Sequence, residues 1–491
     1  MQGGKVMELI DKDLLSIQEV RCLIARAKAA QEKFRQYSQE QIDKIVKAMA
    51  EAADREAVRL AKLANQETGF GKWEDKVLKN RFACKTVYNS IKDLKTVGIV
   101  NEDREKKIIE VAEPIGVIAG LIPSTNPTST TIYKSLIALK AGNAIIFSPH
   151  PAARKCILET AEILSEAAIE AGAPEGIIGC MTVLSMQGTE ELLKHKDVGL
   201  ILATGGEAMV KAAYSSGTPA IGVGPGNGPA FIEKSANIPL AVKRIIDSKT
   251  FDNGVICASE QSIVVEKEIK DQVVAELKKQ GAYFLTQEES DKLGKYLLRG
   301  NGTINPQVVG KSVEKLAELA GLNIPKDAKV LISEQTTVSK DNPYSREKLT
   351  PILGFYVEEN WEKACERCIE LLENEGKGHT LIIHSNNDEV IKQFALKKPV
   401  SRLLVNTCGS LGGIGGTTNL VPALTLGCGA MGGSSTSDNV GPMNLLNLRR
   451  VAYGVRELAD LREDGSSHER IQLSQEYVEN LVKSILEKLA V

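Results

Sequence analysis

No charge of one sign dominates this chain: 61 lysines and arginines are matched by 63 aspartates and glutamates over 491 residues. That balance leaves no broad field for a nucleic acid or an anionic membrane, so any anion site has to be local. No apolar run reaches the ~18 residues of a membrane-spanning helix; the best stretch, 114–123, is short and interrupted by glycine and proline. The 9 cysteines lack a disulfide-style spacing, and residues 1–10 lack the basic-then-apolar plan of a secretory signal. A reducing, cytoplasmic setting is therefore expected. Cys365 and Cys368 fall inside a helical pattern with no second pair, which favours a packed helix and leaves no metal site to expect. There is no repeat of fixed period, and the only low-complexity stretch is the Gly/Ser-rich run 409–437.

What is present is enough chain for two or three domains, at roughly 100 to 200 residues each. Residues 13–97 read as helical: Val20, Leu23, Ile24 and Ala27 share one face, and Ile42, Ile45, Val46 and Met49 recur at intervals of three and four. Short apolar runs at 111–122, 144–147 and 198–203 then alternate with helical stretches such as 157–171. A second alternation starts near Pro229, with strands expected at 230–232, 262–265, 381–384 and 402–406 and a helix at 361–374. This rhythm predicts an α/β chain with parallel sheets in two domains. Farther on, 461–473 reads as a polar linker, and Val478, Leu481, Val482, Ile485, Leu486 and Leu489 trace one stripe. An amphipathic helix over 474–491 that serves a partner is expected.

Among the cysteines, Cys257 has the most distinctive neighbours: Phe251, Asp252, Asn253, Gly254, Val255 and Ile256 before it, Ala258, Ser259, Glu260 and Gln261 after it. A lone cysteine is more often a small buried hydrophobe than a nucleophile, so the weight rests on its surroundings. That segment, together with Ile122, Pro123, Ser124, Thr125, Asn126, Pro127, Thr128 and Ser129, resembles the coenzyme-A-acylating branch of the aldehyde dehydrogenase superfamily. Stretches at 147–151, 203–206, 222–227, 378–380 and 426–429 match in the same order, so the resemblance spans about 13–458. It is to the aldehyde dehydrogenase half of bifunctional aldehyde-alcohol dehydrogenases and, closer still, to the acetaldehyde dehydrogenases of ethanolamine-utilisation microcompartments.

The resemblance implies the aldehyde dehydrogenase fold: a Rossmann-like nucleotide-binding domain (1–99 and 119–230), an α/β catalytic domain (231–425) and a small bridging or oligomerisation element (100–118 and 426–460). It implies oxidation of a short aldehyde, acetaldehyde first and propionaldehyde second, with NAD and coenzyme A to the acyl-CoA, reversibly. The Cys257 thiolate would add to the carbonyl, and Asn126 with the Cys257 backbone N–H would receive the oxyanion, a preorganised interaction worth roughly 3–4 kcal/mol. Hydride transfer leaves a thioester that a second nucleophile must discharge. Hydrolytic members place a glutamate in Glu-Leu-Gly-Gly to activate water; the matching stretch here is Gly222, Val223, Gly224 and Pro225, with Gly222 at the carboxylate position. Without that base, the more acidic CoA thiol is the favoured nucleophile.

For the dinucleotide, the expected contacts are Ser124, Gly205, Gly206, Gly222 and Gly224, with Glu347 on the nicotinamide ribose. Ser148, Pro149 and His150 stand where hydrolytic members carry a lysine against the adenosine ribose, which leaves NADP open beside NAD. His379 follows Gly376 and Gly378 and is expected to face the cofactor or to assist proton transfer from the CoA thiol. Residues 425–433, with Cys428, are expected at the tunnel mouth or a subunit contact. A homodimer or homotetramer is implied, as is binding of microcompartment shell or companion enzymes through the last helix, inside a bacterial microcompartment. Three competing readings are a hydrolytic aldehyde dehydrogenase, an acyl-phosphate reductase of the same fold and a catalytically idle scaffold.

Overall fold

The computed structural model describes residues 9–461 together with 479, 480 and 482; the expected linker and terminal helix lie almost wholly outside the described residues. Four helices come first: Lys12–Phe34, Gln39–Arg55, Ala57–Thr68 and Trp73–Arg81. Ser38 starts the second through a capping box with Gln41, and Gly69 closes the third in a left-handed conformation, φ 64°. Their apolar stripes are buried at Val20, Ile24, Ala27, Ile42, Ile45, Val46 and Met49. Each of the larger side chains contributes about 1.5–3 kcal/mol by leaving water.

Strands β1 (Gly98–Asp103) and β2 (Ile108–Pro114) follow. The run 111–122 is not one strand: it breaks at Gly116, whose φ of 120° suits only glycine, and β3 (Val117–Ile122) then enters a different sheet. The start of β3 lies inside the expected bridging span 100–118. With β4 (Ala144–Pro149), β5 (Ile178–Cys180), β6 (Val198–Thr204) and β7 (Ala220–Val223), β3 forms a parallel sheet in the order β5-β4-β3-β6-β7. The chain moves outward from β3 to one side and then returns to β6 on the other. The carboxyl ends of β3 and β6 thus flank a switch point, where open α/β sheets take their ligands.

A second parallel sheet contains β8 (Gly228–Ile232), β9 (Glu260–Glu266), β10 (Ala282–Phe284), β11 (Val330–Glu334), β12 (Ile352–Glu358), β13 (Gly378–His384) and β14 (Val400–Val405), ordered β10-β11-β12-β9-β8-β13-β14. Finally β15 (Leu446–Ala452) completes a three-stranded sheet in the order β1-β2-β15. Residues up to 100 and 111–449 form one compact unit, and 101–110 with the residues from 450 onward form another. Residues 426–449 therefore belong to the larger unit, inside the span expected for the bridging element. The hydrophobic cluster of the five-stranded sheet also takes in Ile256, Ala258 and Leu426, so the residues on either side of Cys257 anchor it to that sheet while β9 carries the chain into the other. Among the described residues no helix is long and apolar enough to cross a membrane.

Candidate active site

Cys257 lies between the short turn Phe251–Gly254 and β9. Asp252, Asn253 and Gly254 take left-handed φ values of 47°, 53° and 74° in succession. Aspartate and asparagine tolerate that region better than most residues, yet two in a row need holding. The Asp252 carboxylate is fully buried and accepts from the Lys72 N–H at 2.6 Å, from Lys76 Nζ at 3.0 Å and from Lys79 Nζ. Its own N–H donates to Asp75 Oδ2 at 2.8 Å, and Asn253 Nδ2 donates to the Gly310 carbonyl at 3.0 Å. A Cβ on Gly71 would stand 1.8 Å from Asp252 Oδ1, so no side chain fits there.

The loop faces a cleft of about 200 Å³ where the carboxyl ends of β3, β6 and β7 converge. Ser124, Asn126, His150, Gly205, Gly206, Gly224, Cys257 and Glu347 line it together. Asn126 is the residue before the helix Pro127–Lys140, whose first-turn proline sets the entry into helical backbone. Its Oδ1 accepts from Lys79 Nζ at 2.5 Å, while Nδ2 makes long bonds to Thr125 Oγ1 (3.2 Å) and the Val255 carbonyl (3.4 Å). That leaves Nδ2 free to take a stronger acceptor beside Cys257.

Burial pushes the Cys257 thiol up to about 12, the charges of Glu347 and Cys428 add to this, and the Arg402 guanidinium works against it. The resting thiol is therefore neutral. Glu347 is the only carboxyl lining the cleft among the described residues. Burial, and next the charge of Glu375, raise it to about 8, and its Oε1 already accepts the Gly226 N–H at 2.8 Å. Near neutral pH it is mostly protonated, and so a poor base.

Gly222, His379, Ser148 and Pro149 do not line this cleft. A Cβ on Gly222 would lie 2.7 Å from Val210 Cγ1 and 2.8 Å from Tyr214 Cε2, away from the cleft. The Tyr214 hydroxyl also accepts the Gly222 N–H at 2.9 Å. Neighbouring strand residues face opposite ways, and the cleft-facing position of β7 is Val223. The position that β7 contributes to the cleft is thus apolar, one residue beyond the glycine singled out by sequence. His379 does not line the cleft either. It is buried in β13 with Nδ1 2.9 Å from Thr380 Oγ1 and Nε2 unpartnered. Burial, with Arg402 second, lowers it to about 3, so it is a neutral imidazole behind Gly226. A Cβ on Gly226 would meet the Cys257 carbonyl at 2.0 Å and His379 Cε1 at 3.3 Å, so that loop closes on the nucleophile only as glycine.

Ser148 and Pro149 end β4 outside the cleft lining, with Ser148 Oγ 3.2 Å from Thr189 Oγ1. His150 Nδ1 accepts the Ala152 N–H at 3.1 Å, and burial lowers its pKa. A dinucleotide fits the remaining features. β6 ends at Thr204, Gly206 precedes the helix Glu207–Tyr214, and nothing stands within 4 Å of a Cβ built on Gly206. Backbone amides there are open to a pyrophosphate, with Glu347 on the same cleft for a ribose. Among the described residues no group of His, Cys, Asp and Glu could hold a metal ion. Lys76, Lys79 and Asp252 were not among the sequence candidates. The available signal was phase, because both lysines fall on the buried face of their helix with Val77 and Asn80.

The aldehyde dehydrogenase family model matches residues 10–349. The chain is 47% identical over 442 residues to the bifunctional aldehyde-alcohol dehydrogenase AdhE of Escherichia coli (strain K12), covering 89% of this chain and 50% of that protein. It spans about half the length of the first curated relatives it matches. Among solved structures, a "probable aldehyde dehydrogenase" from Listeria monocytogenes EGD-e is 67% identical with a TM-score of 0.91, covering 92% of this chain and 100% of that one. An acetylating aldehyde dehydrogenase from Geobacillus thermoglucosidasius is 56% identical with a TM-score of 0.90, covering 92% and 99%. A propionaldehyde dehydrogenase from the Clostridium phytofermentans fucose utilisation bacterial microcompartment is more remote, 28% identical with a TM-score of 0.80 and coverage of 89% and 97%.

Proposed function

This chain belongs to the aldehyde dehydrogenase family, in its acetylating branch, and from that premise we propose that it oxidises a short aldehyde to the acyl-CoA. Cys257 Sγ adds to the carbonyl carbon and its proton passes to solvent, with Asn126 Nδ2 and the Cys257 N–H receiving the negative oxygen. A bound nicotinamide supplies one thing, acceptance of hydride from the former aldehyde carbon. Gly205 and Gly206 would hold its pyrophosphate and Glu347 its ribose. The acyl group is left on Cys257 as a thioester, and the thiol of coenzyme A takes it, returning the cysteine.

The observation that carries this reading is the lining of the cleft that holds Cys257. Val223, Ile256, Leu424 and Leu426 offer no base, Glu347 is tied to Gly226, and the accepting nitrogen of His150, Nδ1, is already taken by the Ala152 N–H. Water there is not activated, whereas a thiol, several orders of magnitude more acidic than water, needs far less help. Pure protein given acetaldehyde, NAD and CoA should form acetyl-CoA in step with NADH, as read by mass spectrometry. Acetate formed while CoA is recovered unchanged would refute the reading.

Finer assignments follow from the resemblance and the relatives. Acetaldehyde is the proposed substrate ahead of propionaldehyde, and NAD the dinucleotide ahead of NADP, to be ranked by kcat/KM. The proposed setting is the cytoplasm, inside a microcompartment of the ethanolamine-utilisation type, reached through residues 474–491. Diffuse fluorescence of a fluorescent protein carrying that segment, in cells that contain compartments, would remove this idea.

A further inference from the structure

We infer that Lys79 is a positioning residue for the oxyanion site, fixing the Asn126 amide from beneath the cleft so that its N–H groups face the Cys257 adduct. The inference rests on the assignment of Asn126 as oxyanion donor. Lys79 sits on the helix Trp73–Arg81, almost fully buried, with Nζ 2.5 Å from Asn126 Oδ1 and bonded to Asp252 Oδ2. An ammonium only donates, so the amide oxygen must turn toward it and Nδ2 must turn away, toward Val255 and the loop of Cys257. The two ends of an asparagine amide are nearly equal in size. Without Lys79 only the long bonds of Nδ2 to Thr125 Oγ1 and the Val255 carbonyl would oppose a flip that sets a carbonyl oxygen against the forming oxyanion. The ammonium also draws charge from the amide, which makes the N–H a stronger donor.

The rest of the cluster serves both partners of the reaction. Lys76 Nζ donates to the Thr125 carbonyl at 3.2 Å and to Asp252 Oδ2 at 3.0 Å, so one carboxylate joins residues 125–126 to the loop that carries Cys257. Burial holds Lys79 down to about 8, against the pull of Asp252, with Lys76 lowering it further. Apolar side chains of similar volume would commonly fill such an interior at no loss of stability. A charge cluster retained directly under the proposed donor is therefore better explained by geometry than by stability.

The test is a double-mutant cycle of Lys79→Met and Asn126→Ala, read as the single-turnover rate of NADH formation at saturating aldehyde. Asn126→Ala should slow that step by about 10²–10³-fold. Lys79→Met should slow it by roughly 10–100-fold through the same donor, with little change in KM. In the Asn126→Ala background it should then cost less than about threefold, because the group it acts through is gone. Alkylation of Cys257 by iodoacetamide, a displacement that forms no oxyanion, should proceed at the wild-type rate in Lys79→Met. Multiplying losses in the double variant, or slowed alkylation, would make Lys79 a structural support only and overturn the proposal. Full activity of Asn126→Ala would instead remove the oxyanion assignment beneath it. Should Lys79→Met not fold, the same cycle with Lys79→Gln decides: a loss of threefold or more that needs Asn126 supports the proposal, and one that persists without Asn126 overturns it.

Discussion

Two regions border Cys257, and they are built from opposite materials. Beneath its loop, Asp252 draws Lys76 and Lys79 out of solvent and ties them to Thr125 and Asn126. In front of it, the cleft presents Val223, Ile256, Leu424 and Leu426. Buried charge is costly, and here it goes where a donor must be held still. The carboxyl in this lining, Glu347, is held by the Gly226 N–H, so the lining has no free carboxylate to activate water. Under the proposed function the two halves of the chemistry divide along this contrast: the lower region shapes formation of the cysteine adduct, and the cleft lining selects what discharges it.

The most severe break removes the atom that both regions serve. Cys257→Ser should lower aldehyde oxidation on the order of 10⁴-fold or more, with the circular dichroism spectrum unchanged. Retained turnover would mean that another group is the nucleophile. Next, Asp252→Ala leaves two buried ammonium groups without their carboxylate. Unfolding in urea should show a loss of about 3–5 kcal/mol, and a loss below 1 kcal/mol would show that the cluster is hydrated.

The cleft lining can be broken one residue at a time. Val223→Glu sets a carboxylate toward the thioester and should raise CoA-independent acid formation by roughly tenfold, more so as pH rises, because burial keeps such a carboxyl protonated near neutrality. Gly222→Glu should give no such gain, since its side chain would run into Val210 and Tyr214. Equal gains from both would erase the distinction between the two positions. The smallest effect concerns pH alone. A thiol raised to about 12 has less thiolate at any given pH than a free cysteine. Iodoacetamide alkylation of Cys257 without other ligands should therefore keep rising above pH 9, and a plateau below pH 8 would contradict the burial argument.

Much of the fold could be read from sequence wherever burial is one-sided or complete. The stripes at Val20, Ile24 and Ala27 and at Ile42, Val46 and Met49 mark helix faces, and β3, β4 and β6 are apolar because both sheet faces are covered. β12 escaped the pattern although it is central, because Gly354 interrupts it at a point where a Cβ would meet the Tyr344 carbonyl at 2.8 Å. β5 and β10, at three residues each, are too short to show a period. In the candidate site, local motifs point to Cys257, Asn126 and Glu347, which line one cleft. Motif matching could not say which of Gly222 and Val223 faces it, because a step of one residue along a strand reverses the face. Nor could it find Lys79 and Asp252, which are 173 residues apart and meet only through tertiary packing.

The most direct test of the central claim is a count of NADH per active site when protein, aldehyde and NAD are mixed without coenzyme A. One equivalent should form quickly and then stop, leaving an acyl group on Cys257 that mass spectrometry detects and that added CoA releases with turnover restored. Sustained NADH formation at the full rate with no CoA present, accompanied by free acid, would contradict it.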